Sequence, residues 1–299
     1  MPNVKLQNHL HLHFLVFIAG FTGILGELIS INAIPLVWYR MIIALILIMA
    51  YIKFAKIKLK ISAKGILKLS LAGVLIALHW ITFFGSIDAA NVSIALSMFS
   101  TGAFFASLIE PLVYKRKIIG YEVVFGLIVI LGVVIITQSG LNYLTGIILG
   151  LVSAFLSAAF AVLNGNFLKR YTATTITFYE FVSGIVFITL VMFVFGYGYS
   201  SEIFHLSSSD FSYLLILGSI CTAYAFIGAV HVMHHISPFT VMLTYNLEPV
   251  YGILLAILLF PEKEVMSPHF YYGAFLIITA VLLNAYVKNK KRLTKRNLT

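Results

Sequence analysis

Hydrophobic stretches of roughly 18 to 25 residues recur along the whole chain, each about as long as a helix that crosses a lipid bilayer. Hydrophobic residues make up 61% of the sequence and charged residues only 10%, with a mean hydropathy of +1.03. Water could not solvate such a chain without contact with large apolar areas. A soluble globular protein is therefore excluded, and the sequence predicts an all-α integral membrane protein.

Dividing the apolar sequence at its polar connections predicts ten membrane-spanning helices. The first run, near Leu10, lacks a small-x-small cleavage site before Gly20, so we interpret it as a span rather than a signal peptide. The predicted spans are residues 10–29, 33–53, 66–87, 91–114, 120–138, 143–168, 174–196, 211–233, 238–260 and 269–287. Together they take up nearly the whole chain, so any function must reside within the bilayer or at its edges.

Basic residues favour one side of this predicted topology. With the N-terminus in the cytoplasm, 18 of the 20 lysine and arginine residues lie in cytoplasmic segments. Only Lys263, in an outer loop, and Arg40, within a span, do not. This bias predicts a multi-pass protein of the inner (cytoplasmic) membrane with both termini in the cytoplasm. It also explains the net charge of +10 without a nucleic-acid partner.

The sequence can be divided into two five-span halves, residues 1–140 and 141–299. A shift of 147 residues aligns spans 4 and 5 with spans 9 and 10 and pairs the basic segment 115–117 with the acidic segment 262–264. The lysine-rich loop after span 2 likewise corresponds to an outer loop, Gly196–Asp210, without basic residues. Because five is odd, a duplicated half is inserted upside down. The sequence therefore predicts two inverted five-helix repeats around a central cavity.

Several short motifs resemble the EamA-type family of the drug/metabolite transporter superfamily, and the resemblance covers essentially the entire chain. They are Pro35 and Arg40 in the segment Ile34–Arg40, the segment Leu247–Gly252 followed by Glu262, and the glycine-bearing spans near Gly126 and Gly273. The resemblance implies a carrier of small metabolites, often an exporter of amino acids or related compounds. It also implies a cavity between the two halves.

We therefore expect a secondary transporter that works by alternating access and exports amino acids or similar amphipathic compounds. Import of the same solutes is the alternative, and a drug-like cation is also compatible with the sequence. No phosphate-binding loop is present, so the energy would come from a gradient or from exchange. We expect a small-molecule substrate, the lipid bilayer as surroundings, a monomer or homodimer, and neither a cofactor, a bound metal nor an enzymatic activity.

Ionisable side chains inside the membrane are costly and are therefore candidates for function. Arg40 could bind a substrate carboxylate, or it could form a structural pair with Glu27. Glu248 could hold an amine or carry a proton, or it could be a packing feature before Pro249. For Glu180 the alternatives are a substrate or proton site and a snorkelling or helix-paired residue. Glu27 is a third candidate for proton coupling.

Further candidates for substrate binding are aromatic and polar residues of the spans. His79 and Trp80 could bind or stack on a ligand, although a hydrogen-bonded core histidine is the alternative for His79. Additional side chains could line the cavity or pack between helices: Thr101, Asn164, Tyr179, Tyr224 and Tyr245.

A different class of protein is suggested by the segment His231–His235, which matches the H-x-x-H-H pattern of membrane di-iron enzymes. Such enzymes need several histidine boxes, whereas the other histidines here are scattered, so a metalloenzyme is only an alternative. Replacement of inner-loop lysines by His234 and His235 is the simpler interpretation. The lone Cys221 cannot form an internal disulfide and is expected to be a small core residue.

Overall fold

The computed structural model describes residues 4–115, 117, 119–138, 141–196, 206–233, 244–245 and 247–296. Within these ranges the chain is helical and contains no β-strand. The α-helices are α1 (Val4–Leu28), α2 (Ala33–Phe54), α3 (Ala63–Ala89), α4 (Val92–Phe99), α5 (Gly102–Tyr114), α6 (Gly120–Thr137), α7 (Leu144–Phe167), α8 (Ala173–Val194), α9 (Ser208–Gly218), α10 (Ala225–Met233), α11 (Glu248–Leu259) and α12 (Pro268–Arg296). A 3₁₀ turn (Leu141–Tyr143) precedes α7, and a π-helical segment (Ser219–Tyr224) joins α9 to α10.

Seven helical segments are long and apolar enough to cross a membrane: Leu6–Leu28, Ala33–Phe54, Ala63–Ala89, Val92–Tyr114, Leu144–Phe167, Ala173–Val194 and Ser208–Ala229. The predicted all-helical membrane protein is thus confirmed. The other three predicted spans correspond to shorter apolar helices, Val124–Ile136, Glu248–Leu259 and Pro268–Asn284. Much of the predicted ninth span before α11 lies outside the described residues, so the count of ten stays a prediction.

Short polar side chains begin several of the helices. The side chains of Ser62, Asn91, Thr172 and Ser207 each accept a hydrogen bond from the backbone N–H three residues later. Such capping satisfies an N–H group that has no partner within the helix. The fourth predicted span is interrupted at Ser100 and Thr101, whose hydroxyls donate to the carbonyls of Ser97 and Met98 at 2.6 Å. The interruption separates α4 from α5.

Helix α3 lies at the centre of the bundle and packs against α7 and α8. Helix α1 packs against α10 and α11, whereas α7 packs against α4 and α5. Helices α6 and α12 form a pair, and their backbones approach closely where Gly132 meets Gly273. Small residues at such crossings permit close contact between membrane helices.

Helices α2 and α8 bury their residues in the same pattern. Each has nine buried residues, and every one of the nine on α8 lies 140 positions after one on α2. Under this shift Arg40 corresponds to Glu180, and both are buried. The two helices pack against each other in antiparallel fashion, because Trp38 donates from Nε1 to Thr189 Oγ1 at 3.0 Å while Met41 lies against Gly184. Equivalent faces of α2 and α8 therefore carry an arginine and a glutamate, respectively, into the bundle.

Polar contacts tie the bundle together at the end where α2 begins. Ser30 donates from its backbone N–H and its hydroxyl to Asp210 at the start of α9, at 2.8 and 2.7 Å. Glu264 is buried in the loop after α11 and accepts the N–H groups of Val92 and Ser93, both at 3.1 Å. Burial raises the pKa of Glu264, and these two hydrogen bonds partly offset the effect. The loop is thereby fixed to the start of α4.

Gly73 of α3 is a position where two helices touch through backbone atoms. A Cβ atom added there would overlap the carbonyl oxygen of Glu180 and the hydroxyl of Ser183. We expect Gly73→Ala to lower the midpoint of thermal unfolding in detergent, because overpacking costs about 1–3 kcal/mol and exceeds the helix-propensity gain of about 1 kcal/mol. The matched control is Gly120→Ala, since no atom lies within 4 Å of a Cβ there. A Gly73→Ala midpoint at or above that of the wild type would contradict this packing.

Candidate functional site

Arg40 enters the centre of the bundle from α2 and is almost completely buried. Its Nε donates to Thr222 Oγ1 at 2.6 Å, and its guanidinium carbon lies 4.1 Å from the centre of the Trp80 ring. The hydroxyl of Thr222 donates in turn to the carbonyl of Leu217, five residues earlier, as the π-helical segment allows. One guanidinium nitrogen, Nη1, has no hydrogen-bond partner among the described residues. The arginine is therefore held in place with one donor group free.

Glu248 is the carboxylate whose charge interacts with that of Arg40. It is the first residue of α11, where the helix dipole favours a negative charge, and it is partly accessible. No ion pair within 4.0 Å joins it to Arg40 in the described part of the chain. Tyr245 lies close enough to Glu248 for their charges to interact. A positive and a negative group thus face the same region without direct contact.

An irregular helical segment and a helix start hold these two side chains. Arg40 contacts the π-helical segment, and Glu248 opens α11. The 147-residue shift from the sequence relates Thr101, at the interruption between α4 and α5, to Glu248. Interruptions at corresponding positions of two halves are typical of binding sites in carriers, because free helix ends and irregular backbone can contact a ligand there.

Trp80 connects the arginine to an aromatic cluster. Its ring meets Phe181 and Phe226 edge to face, with centroids 5.8 and 5.9 Å apart. Phe84 also lies near Arg40, with its ring centre 5.7 Å from the guanidinium carbon. Aromatic faces attract a cation electrostatically and exclude water. The cluster therefore supports the buried charge of Arg40 and provides an apolar wall.

His79 is anchored rather than free. Its Nδ1 lies 2.8 Å from Ser153 Oγ and 3.1 Å from the Ser153 carbonyl oxygen, and the ring stacks on Phe99 with centroids 5.3 Å apart. The hydroxyl of Ser153 also donates to the backbone carbonyl of His79 at 3.1 Å. These contacts join α3 to α7 and favour the alternative of a hydrogen-bonded core histidine.

Glu180 is separate from the Arg40 region. Its side chain has no exposed surface, and Asn164 of α7 approaches Oε2 through Nδ2 at 3.4 Å. Because α2 and α8 pack antiparallel, Glu180 lies opposite approximately residue 45 of α2. At 1.5 Å per residue, Arg40 and Glu180 therefore differ in depth along the helix axes by about 7 Å. No recorded contact joins the Arg40 and Glu180 side chains. The structure thus brings Glu180 together with Asn164 and Arg40 together with Trp80.

The remaining candidates lie farther from these groups or have their polar atoms engaged. Glu27 binds Lys263 at 2.6 Å, so it is not the partner of Arg40, and it raises the pKa of that lysine. The hydroxyl of Tyr179 donates to the Leu59 carbonyl at 2.9 Å. Tyr224 is exposed and lies 2.7 Å from His11. The Thr101 hydroxyl, already described, bonds to its own helix.

Two other expectations can be compared with the structure. Cys221 is buried, as expected for a small core residue. In the described residues no group of three or more metal-ligating side chains is present, but His234 and His235 of the histidine pattern lie outside them. Thr222, Phe84 and Ser153 were missed by the sequence reasoning. A polar residue within a span was the available signal for Thr222 and Ser153, and nothing distinguished Phe84 from its apolar neighbours.

Comparisons with known proteins identify the family and the fold of this chain. The EamA-like transporter family matches this chain twice, over residues 10–138 and 144–286. An uncharacterized transporter from Archaeoglobus fulgidus is 26% identical, over 94% of this chain and 97% of its own length. A protein crystal structure aligns with 93% of this chain and 97% of its own at a TM-score of 0.64 and 13% identity, which shows a shared fold.

The two family matches together cover most of the sequence, and the archaeal relative matches 94% of it. The apolar helices supply the membrane-crossing character that this family requires. The chain therefore belongs to the EamA-like transporter family and is a multi-pass membrane protein that acts on a small-molecule substrate within the lipid bilayer.

Proposed function

We propose that this protein is a secondary transporter that exports amino acids or similar amphipathic compounds by alternating access. The observation that carries the proposal is the free Nη1 of Arg40 near the half-buried Glu248, whose charge interacts with that of Arg40. A guanidinium binds a carboxylate through paired hydrogen bonds, and a carboxylate binds an ammonium group. A zwitterion between them satisfies both charges, and the wall formed by Trp80 and its aromatic neighbours suits an apolar side chain.

Two inverted repeats of five spans, residues 1–140 and 141–299, are part of this proposal. The matched buried positions of α2 and α8 support them, as do the two separate family matches. Helix α3 of the first half packs on α7 of the second half, and α10 of the second half packs on α1 of the first half. This reciprocal packing is consistent with two equivalent halves. Related bundles of this kind can rock about a central site and open it to each side in turn.

The proposed setting is a cell membrane with both termini in the cytoplasm, on the strength of the basic residues that cluster on one side. We propose no catalytic activity and no cofactor. Net export depends on the substrate and coupling gradients as much as on the protein, and import of the same solutes is the alternative. Cells that express the protein should accumulate less of the substrate if export is the physiological direction.

A thermal-shift screen on the purified protein tests the substrate class. Each amino acid is compared with its amide, which lacks the carboxylate, and with its N-acetyl form, which lacks the ammonium group. We expect an apolar amino acid to stabilise the protein while both analogues fail, since each leaves one charge of the site unpaired. Uptake of that amino acid into proteoliposomes then tests transport. Equal stabilisation by the amide, or by a drug-like cation alone, would contradict the zwitterion site.

A further inference from the structure

The Glu180–Asn164 pair has an unusual pattern of unsatisfied oxygens. Asn164 Nδ2 approaches Glu180 Oε2 at 3.4 Å. The other oxygen of each side chain, Glu180 Oε1 and Asn164 Oδ1, is buried and has no hydrogen-bond partner in the described part of the chain. Buried polar atoms nearly always have partners in native proteins. When two side chains approach each other through one atom each and both remaining oxygens lack a donor, a shared donor for those oxygens is indicated.

Among the side chains that the structure describes, no cation supplies that donor. Helices α2, α3 and α10 pack against α8, and α7 contributes Asn164. Their ionisable side chains are Tyr39, Arg40, Tyr51, Lys53, Lys64, Lys68, His79, Asp88 and His231. Among those residues whose charged side chains the structure describes, none affects Glu180 electrostatically. The hydroxyl of Ser183 donates to backbone carbonyls of its own helix and not to the carboxyl group of Glu180. An ionised carboxylate buried without a cation is strongly unfavourable.

A single proton completes the pair. When Oε1 carries the proton, its O–H group donates to Asn164 Oδ1 while Asn164 Nδ2 donates to Oε2, which gives a closed ring of two hydrogen bonds. A metal ion fits less well, because it needs more oxygen ligands than these two. We propose that Glu180 and Asn164 are the proton-binding site of this carrier and that Glu180 is protonated in the present conformation.

The position of the pair gives the proton a route to water. Asn164 is partly accessible and lies three residues before the end of α7, whereas Glu180 is fully enclosed. Separation of α7 from α8 breaks both hydrogen bonds and exposes the carboxyl group. The proton then passes from Oε1 to water, and the carboxylate remains on the protein. This step rests on the proposed alternating access, but the protonated state of Glu180 does not.

Infrared spectroscopy of the full chain in lipid nanodiscs at pH 7 tests the protonated state without any substrate. A carboxylic acid has a C=O stretching band that a carboxylate lacks, and the band shifts in D₂O. We expect the band in the wild type, its loss in Glu180→Gln, and its retention in the control Glu262→Gln, since Glu262 is exposed. In Asn164→Leu the band should move to higher frequency because the hydrogen bond is lost.

An acid band that is absent from the wild type, or unchanged in Glu180→Gln, would overturn the proposal, and the wild-type spectrum decides even if a variant fails to fold. An unchanged frequency in Asn164→Leu would overturn the role of the pair. The coupling step has its own test: a pH gradient imposed on proteoliposomes should drive accumulation by the wild type but not by Glu180→Gln. If the acid band is present but a pH gradient drives no accumulation, Glu180 is protonated but does not couple proton movement to transport. A substrate screen that finds no ligand would contradict the proposed substrate class and would leave the infrared result unchanged.

Discussion

Arg40→Lys is expected to reduce transport of the identified amino acid by about 100-fold, although the charge is kept. Lysine cannot reach a substrate carboxylate with a planar pair of donors while it also contacts Thr222 and the Trp80 ring. Loss of about 3 kcal/mol of charge-assisted hydrogen bonding corresponds to about two orders of magnitude in affinity. Initial rates of uptake into proteoliposomes measure the effect over a range of substrate concentrations.

Matched variants separate binding from folding in this experiment. Arg170→Lys makes the same chemical change at an exposed position after α7 and should transport like the wild type. Thr222→Val removes the acceptor of the Nε hydrogen bond, together with the donor to the Leu217 carbonyl, and should give a smaller loss than Arg40→Lys. Unliganded melting curves and size-exclusion profiles check that each variant is folded. Arg40→Lys transport within about twofold of the wild type, under half a kcal/mol, would show that the free Nη1 does not bind substrate.

The class of fold could be predicted from the sequence because the membrane imposes it. Long apolar runs must become helices, since only internal hydrogen bonds satisfy the backbone in lipid. The lengths of individual helices were less predictable. The expected fourth span, 91–114, is instead divided into α4 and α5, because the hydroxyls of Ser100 and Thr101 bond to backbone carbonyls where α4 ends.

The site was predictable by residue type but not by partner. Because a charged group is costly to bury in a membrane, Arg40, Glu180 and Glu248 could be identified as candidates from the sequence alone. The pairing of Arg40 with Thr222 depends on a π-helical turn, which hydrophobic periodicity does not reveal. The sequence offered Arg40 as a partner for Glu27, but the partner in the structure is Lys263, which lies 236 residues away in the sequence. Such choices depend on how the helices pack, which no local pattern determines.

The correspondence between Arg40 and Glu180 links the fold to the proposed mechanism. Both lie at the same position of helices with the same buried face, and each has a glycine of a neighbouring helix against its backbone carbonyl: Gly218 for Arg40 and Gly73 for Glu180. A glycine at each place lets the helices approach closely. Under the proposed repeats, the two halves present one framework with opposite chemistry, a fixed cation in one and a titratable carboxyl in the other.

Equivalent residues of the two halves are expected to lie on opposite sides of the membrane. Lys64 and Ser209 occupy the same position, two residues after the capping serines Ser62 and Ser207, and both are exposed. Lys64→Cys and Ser209→Cys, each combined with Cys221→Ser, should react with a membrane-impermeant maleimide from opposite sides. In whole cells we expect labelling of the Ser209→Cys protein only, and in inside-out vesicles labelling of the Lys64→Cys protein only.

Each variant serves as the control for the other, because labelling after detergent solubilisation should be complete for both. The expected difference is nearly all or none, since the bilayer blocks the reagent and an inverted repeat reverses the side of every loop. Labelling of both variants from the same side would contradict the inversion. Alternating access by exchange of the two halves would then lose its structural basis, whereas membership of the family and the contacts of Arg40 would still stand.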